Sequence, residues 1–462
     1  MNPQLEERLP WAERPMRELV RLAWPITVSM LSYSTMTVVD TLFVSRLGSA
    51  ALAGVGLGGT VAFLCLCFSF GLLRAVKTLV SQSVGAGRGT EVSAYLGAGL
   101  VLAVGLGAAT LLVGELLSSV LRFVAATQAS GEASRNYLRV RMLGAPAVLV
   151  YVALREARYG QGDARSPMRA ALVANVTNIA LDWLFVVALH RGVAGAAWAT
   201  VLSEVGEAAW LVFAQRRSGF GLASVTRVHL LATWRLGLPT GIQFFVEMGS
   251  FATLTALVAG FGELDAAAHQ IVLQVCTLSF LPAVAVSEAA SVLTGQAVGA
   301  GRHTLVRAVS RRGLVLAAGY MGLCGLTFAT QGRWIVGRFT QEPALVHTAL
   351  CLLSVAAVFQ VFDGANIVAR GALRGTGDVR FAAWAGILAA WCLTPPLAWL
   401  LGGHLGLGAF GGWIGMCVEV IVGAAILWWR LERGGWKAAA RRARETVLEM
   451  PPAAVVVAPS TS

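Results

Sequence analysis

Apolar residues in this chain fill long runs, with short polar or basic interruptions between them. A run of about 20 apolar residues wound as α-helix matches the bilayer hydrocarbon, about 30 Å thick. The pattern predicts twelve such helices. In the first half they cover 18–45, 50–78, 92–122, 132–158, 166–190 and 193–215. In the second half they cover 232–260, 265–293, 307–331, 344–371, 379–402 and 408–430.

The two halves repeat one another. Gln82-Ser83-Val84-Gly85-Ala86-Gly87-Arg88-Gly89-Thr90 returns as Gln296-Ala297-Val298-Gly299-Ala300-Gly301-Arg302-His303-Thr304, an offset of 214. Leu22-Ala23-Trp24-Pro25 returns as Leu236-Gly237-Leu238-Pro239 at the same offset. Further on the offset is 215, matching Gly160–Asp163 to Gly375–Asp378 and the pair Trp198, Glu204 to Trp413, Glu419. So long a repeat means a duplicated domain. Six helices per copy is an even number, so both copies start on the same side and the repeats are parallel. The expected fold is therefore an all-α integral membrane protein with two pseudo-symmetric six-helix bundles. Its parts are an N-tail (1–17), an N-lobe (18–215), a linker (216–231), a C-lobe (232–430) and a tail (431–462) whose Pro/Ala/Val/Ser end is expected to be disordered.

Composition agrees with membrane residence. Hydrophobic residues make up 56% and charged residues 13% of the chain, against about 25% charged in soluble domains. The net charge of +12 is spread through alternate loops, which argues against nucleic acid as a partner and for the bilayer. Arg and Lys favour the N-tail, the linker and loops four-five, eight-nine and ten-eleven. Loop three-four dissents, with Arg135, Arg139 and Arg141. The majority places both termini in the cytoplasm. The seven cysteines lie in apolar runs and read as buried thiols. No Cys/His spacing suggests a metal, and no cleavable signal peptide is apparent. Gly54-Val55-Gly56-Leu57-Gly58-Gly59 fits a dinucleotide fingerprint but sits in an apolar helix with no preceding strand, so it reads as packing.

Acids inside the apolar runs are the sharpest chemical signal, because a membrane carboxylate is costly unless used or paired. Tyr33, Met36, Thr37 and Asp40 share a face of the first helix, and Asn175, Asn178 and Asp182 a face of the fifth. Glu247 in the seventh helix follows Gln243 by one turn. Asp363 in the tenth is flanked by Gln360 and Asn366. One such acid could serve as glue between helices. Four amide-flanked acids, two per lobe, point to a binding cavity. Tyr33, Met36, Phe244, Phe245 and Met248 would give it adaptable walls.

The Pro25-to-Asp40 first span, VGAGR in both halves, LDAAAHQI at 264–271 and DGANIVARGALRGTGD at 363–378 resemble the multidrug and toxic compound extrusion (MATE) family of transporters. The likeness covers both lobes and most of the length. It implies a central cleft between the lobes and efflux of organic cations or drugs driven by inward proton or sodium flow, with no other cofactor. By the family pattern, Asp40, Asn178, Asp182 and Thr200 would form an N-lobe cation site. Glu247 and Asp363, with Gln243 and Gln360, would handle substrate or protons in the C-lobe. Glu288 departs from the family's apolar character at its position. It is the repeat equivalent of Arg74, and the two could pair as a cytoplasmic gate; alternatively Arg74 and Lys77 snorkel to the headgroups. The expected product is a monomeric, multi-pass protein of the bacterial inner membrane. Two rival readings are a flippase for lipid-linked precursors, which would want a basic cleft, and a membrane-embedded enzyme, for which no nucleophile-base set is found.

Overall fold

The computed structural model describes residues 9–125 and 127–449. They form helices joined by short turns, with no strand among them. The first half contains α1 (Pro15–Ser45), α2 (Ser49–Ala86), α3 (Gly89–Val124), α4 (Gln128–Leu143), α5 (Ala145–Gly160), α6 (Arg165–Asp182) and α7 (Gly192–Gln215). The second contains α8 (Arg227–Phe261), α9 (Glu263–Gly299), α10 (His303–Val336), α11 (Pro343–Gly375), α12 (Val379–Leu397) and α13 (Gly408–Arg433), followed by α14 (Lys437–Glu449).

Ten of these helices are long and apolar enough to cross a bilayer, and α4 with α5 supplies an eleventh crossing bent by 49°. The expected twelfth, α7, has 24 residues, about 36 Å, but with Glu204 and Glu207 in its run it is not among the helices apolar enough to cross. The bend corrects the straight helix expected over 132–158. Gly144 separates α4 from α5, and Pro146 stands in the first turn of α5, where its missing N–H costs nothing. Arg135, Arg139 and Arg141 all lie inside α4 and are not loop charges.

The duplication is visible in the backbone. Gly87 and Gly301 end the second helix of each copy at φ 72° and 73°, and Gly162 and Gly377 turn the chain at φ 84° and 86°. A side chain is strained at such angles, so glycine is the residue both copies keep. A π-helical segment follows α6 at Trp183–Ala188, and another follows α12 at Ala398–His404. Glycine also permits close helix packing in a solvent that offers helices no hydrophobic reward for association. Gly58 of α2 lies against Tyr137 of α4, where an added Cβ would approach the ring to 3.1 Å.

The described chain divides into two compact units. One holds 9–27, Val84–Gly87 and Ile242–Glu449; the other holds Val28–Ser83 and Arg88–Gly241, apart from the undescribed position 126. The division falls inside the first helix of each repeat, after Thr27 and after Gly241, again 214 apart. We call the unit containing α2–α7 the N-unit and the other the C-unit. The C-unit core gathers Leu254, Val258, Val272, Leu352, Leu353 and Trp413. A smaller N-unit core gathers Ala62, Leu121, Leu138 and Met142. Many outward residues are apolar, such as Leu116 and Phe123 at 72% and 74% exposure, as lipid contact requires. Beyond α13, Trp436 is fully buried and its ring lies 5.6 Å from that of His303. The tail end expected to be disordered, 450–462, lies outside the described residues.

Candidate functional site

In the N-unit, α1, α6 and α7 bring Asp40, Asn178, Asp182 and Thr200 together. Asn178 and Asp182 are one helical turn apart on α6, and both are fully buried. With its amide nitrogen turned toward the acids, Asn178 Nδ2 donates to Asp40 Oδ1 at 2.9 Å and to Asp182 Oδ2 at 3.3 Å. Thr200 Oγ1 of α7 donates to Asp40 Oδ2 at 3.4 Å. Asp182 Oδ1 is buried with no hydrogen-bond partner. An amide, a hydroxyl and two carboxyls thus converge on one spot, which can hold a proton or a small cation.

Beside it lies a second group of charges that sequence reasoning did not assign. Arg141 of α4 grips Glu204 of α7 through two hydrogen bonds, Nη1 to Oε2 at 2.6 Å and Nη2 to Oε1 at 2.9 Å. Tyr33 donates its hydroxyl to Glu207 Oε2. Tyr33, expected as an apolar wall, is therefore a polar ligand of an acid, because its face of α1 meets the Glu207 face of α7. Met36 is buried and, with Tyr33, Asn175, Ser203, Glu204 and Glu207, lines a small cavity. Arg155 and Lys77 both face Glu156, at 2.9 and 3.5 Å. The signal available in the sequence was Glu204 and Glu207, three apart on one apolar helix.

In the C-unit, Glu247 of α8 does not stand free. Arg370 Nη1 of α11 donates to both its oxygens at 2.8 Å, and Gln243 Nε2 donates to Oε1 at 2.9 Å. Arg370 Nε donates to Asn366 Oδ1 at 2.7 Å. The expectation of an acid flanked only by amides is therefore corrected: an arginine inside the DGANIVAR stretch neutralises it. Asn366 and Arg370 are i, i+4 on α11, so the spacing that marked Asp363 also marked Arg370. Asp363 and Glu419 both lie in the electrostatic field of Arg370, and Glu419 Oε2 accepts a hydrogen bond from Thr394 at 3.4 Å. Three acids share one arginine. Gln360 is drawn away, donating to Ser279 Oγ at 2.6 Å. Phe244 and Met248 are half-buried and Phe245 is 50% exposed. Arg74 belongs to the N-unit; Glu288, 5% exposed, belongs to the C-unit. Among the described residues no group of three or more His, Cys, Asp or Glu side chains could hold a metal ion.

Comparison with known proteins follows the same outline. The family profile described as MatE matches residues 25–184 and 239–400, one segment in each copy of the repeat. A probable multidrug resistance protein NorM of Pseudomonas syringae pv. tomato is 32% identical over 93% of this chain and 96% of its own length. The corresponding protein of Deinococcus radiodurans is 33% identical over 87% and 91%. Among solved structures, a MOP superfamily transporter from Pyrococcus furiosus superposes with a TM-score of 0.86 at 21% identity, covering 95% of this chain and 99% of that one. An outward-facing multidrug resistance transporter of the MATE family superposes with a TM-score of 0.84 at 22% identity, covering 92% and 97%.

Proposed function

Because the chain belongs to the MatE family, we propose that it is a secondary active exporter, expelling cationic or amphipathic drugs in exchange for protons that enter through the Asp40–Asp182 pair. The observation that carries this reading is Asn178, whose amide nitrogen reaches Asp40 Oδ1 at 2.9 Å and Asp182 Oδ2 at 3.3 Å and so holds the two carboxyls side by side. Two carboxylates held on one amide repel when both are ionised, so a proton on one of them relieves the pair. Asn178 and Thr200 supply donors that hold both acids in place whichever of them carries it.

Exchange follows from competition. A proton and a drug cation both neutralise charge in the same unit, so each lowers the affinity for the other reciprocally. In the C-unit the Glu247–Arg370 pair is internally neutral, which leaves Asp363 and Glu419 as the acids able to meet a cation. A sodium ion on the Asp40–Asp182 oxygens is the competing coupling. The cleft acids support drug export over the flippase reading, which would want a basic cleft. We place the protein in the bacterial inner membrane as a monomer with both termini cytoplasmic, from the distribution of loop arginines.

The test is extrusion of a fluorescent cation from vesicles containing the full chain, driven by an imposed pH gradient or, separately, an imposed sodium gradient. The pH gradient should drive extrusion, and both Asp40→Asn and Asp182→Asn should reduce it to the level of empty vesicles while leaving expression unchanged. Near-normal extrusion by either variant refutes the role of the pair, and extrusion driven by sodium alone refutes the proton.

A further inference from the structure

Helix α14 lies outside both segments matched by the family profile and takes no part in the sites described above. Its sequence, KAAARRARETVLE, carries four basic residues and two acidic ones. At about 3.6 residues per turn, Lys437, Arg441, Arg444 and Leu448 fall on one stripe of it, and Ala440 and Val447 on the neighbouring stripe. The second stripe is buried, as is Trp436 just before the helix. Gly434 turns the chain at φ 72°, Trp436 Nε1 donates to the Leu431 carbonyl at 3.0 Å, and α14 packs on α9. Arg444 closes over Gly301, where an added Cβ would come within 2.9 Å of its Cζ. These contacts hold α14 across the turn between α9 and α10 and keep it from running on into solvent.

The first stripe is exposed along its whole length. Lys437, Arg441 and Arg444 all act electrostatically on one residue, His303, so three cations crowd the same place. The acids within reach are already spent: Glu432 accepts two hydrogen bonds from Arg311, and Asp378 accepts from Arg430. Among the described residues the three cations form no ion pair. Their depth follows from α13. Trp429 is 56% exposed, with the Arg433 guanidinium 5.8 Å from its ring centroid. Exposed tryptophans on a span sit at the level of the lipid headgroups, so α13 leaves the hydrocarbon near Trp429 and α14 begins two turns later. A nucleic acid would need this patch clear of the bilayer, and Trp429 puts it beside the headgroups instead. Unpaired cations with an exposed leucine at that depth suit an anionic lipid surface.

We propose that Lys437, Arg441 and Arg444 bind the phosphates of anionic phospholipids, fastening α14 and the α9–α10 turn to the headgroup layer. The site does not depend on the transport reading, because lipid binding is measured without transport.

The experiment is thermal unfolding of the purified full chain in mixed micelles holding rising fractions of phosphatidylglycerol or, separately, of phosphatidylcholine. Phosphatidylglycerol should raise the melting temperature of the unaltered protein saturably, and phosphatidylcholine should not. Inorganic phosphate at equal ionic strength should have no effect. The triple variant Lys437→Gln, Arg441→Gln, Arg444→Gln should lose the response over the whole range, since each basic residue near a lipid surface is worth about fivefold in binding. Should the triple variant fail to purify folded, Arg441→Gln alone is read, with the half-effect fraction raised about fivefold. Arg333→Gln with Arg338→Gln, which removes two exposed arginines at the far end of α10, should leave the response unchanged. The proposal is overturned if the two lipids act alike on the unaltered protein, or if the α14 variant responds as the unaltered protein does. It is equally overturned if the control variant loses the response, which would mean that net charge is sensed, or if inorganic phosphate reproduces it, which would mean a bare-anion site.

Discussion

The two units repeat one fold and solve the problem of buried charge in different ways. At the offset of 214, Tyr33 in α1 corresponds to Glu247 in α8; at 215, Arg155 in α5 corresponds to Arg370 in α11 and Glu207 in α7 to Val422 in α13. In the C-unit the first helix supplies the acid and the fourth span supplies the arginine that neutralises it. In the N-unit the first helix supplies a phenol and the sixth span the acid, while the arginine turns to the adjacent Glu156. The Asp40–Asp182 pair has no counterpart at all: the corresponding residues are Leu254 and Leu397. Backbone geometry is shared down to the glycine dihedrals, yet the charged chemistry belongs to each copy separately. A duplicated scaffold fixes where side chains point, and each copy fills those positions with its own charges.

The sharpest way to break this comparison is to remove the C-unit arginine. Arg370→Met leaves the partly buried Glu247 with only the Gln243 amide as a partner, which should cost somewhat less than the about 3–5 kcal/mol of a fully buried pair. Arg370→Met with Glu247→Met should recover most of that. Arg155→Met should cost less, because Lys77 still faces Glu156 at 3.5 Å. Thermal melts of the purified variants measure all three, and equal losses for the two arginines would mean the units do not differ in this way. A smaller effect is expected from Tyr33→Phe, which takes one donor from a buried carboxylate, worth about 1.5–3 kcal/mol. A melt indistinguishable from the unaltered protein would show that Glu207 does not rely on its phenol.

The smallest effect concerns the turns outside the membrane. Asp163 accepts hydrogen bonds from the backbone N–H groups of Arg165 and Ser166 at 3.1 and 3.0 Å and from Arg158 at 3.1 Å. Its repeat equivalent, Asp378, instead accepts from Arg430 of α13 at 2.9 Å. Burial alone would push the Asp163 carboxyl up, but the donors from Ser166 and Arg158 outweigh it and hold the carboxyl below its ordinary value. A depressed carboxyl stabilises the fold above its unfolded pKa and loses that contribution as pH falls through the folded one. Asp163→Asn should therefore lower the melting temperature slightly at neutral pH and converge with the unaltered protein in acid. A difference that persists in acid would assign the turn to packing.

The spans and the duplication were legible because both are long-range regularities of composition. The i, i+3 and i+7 spacing on α6 put Asn175, Asn178 and Asp182 on one face, and it was the resemblance to the MATE family that implied Asp40 and Thr200 beside them. Arg141 was misplaced because a charge near a helix end looks like a loop charge until its partner is known, and Glu204 lies 63 residues away. Arg370 was quoted within its motif yet not paired, since nothing local to α11 announces Glu247 on α8. The break at Gly144 was signalled only by Pro146. The π-helical segments left no mark, because one extra residue per turn leaves the apolar run unchanged.

Helix α7 carries Thr200, Glu204 and Glu207, two of them acids inside an otherwise apolar run. Each acid adds roughly 2.5–3.5 kcal/mol to the cost of inserting a helix centre. Arg141, the partner of Glu204, is synthesised 63 residues earlier and enters the membrane with the same debt. Pairing offsets that cost once both spans are in place, which would favour inserting α4 and α7 as a set. The Arg141–Glu204 pair would thereby bear on how the N-unit is assembled. A change at Arg141 would register first as protein lost to quality control, before any change in what the protein exports.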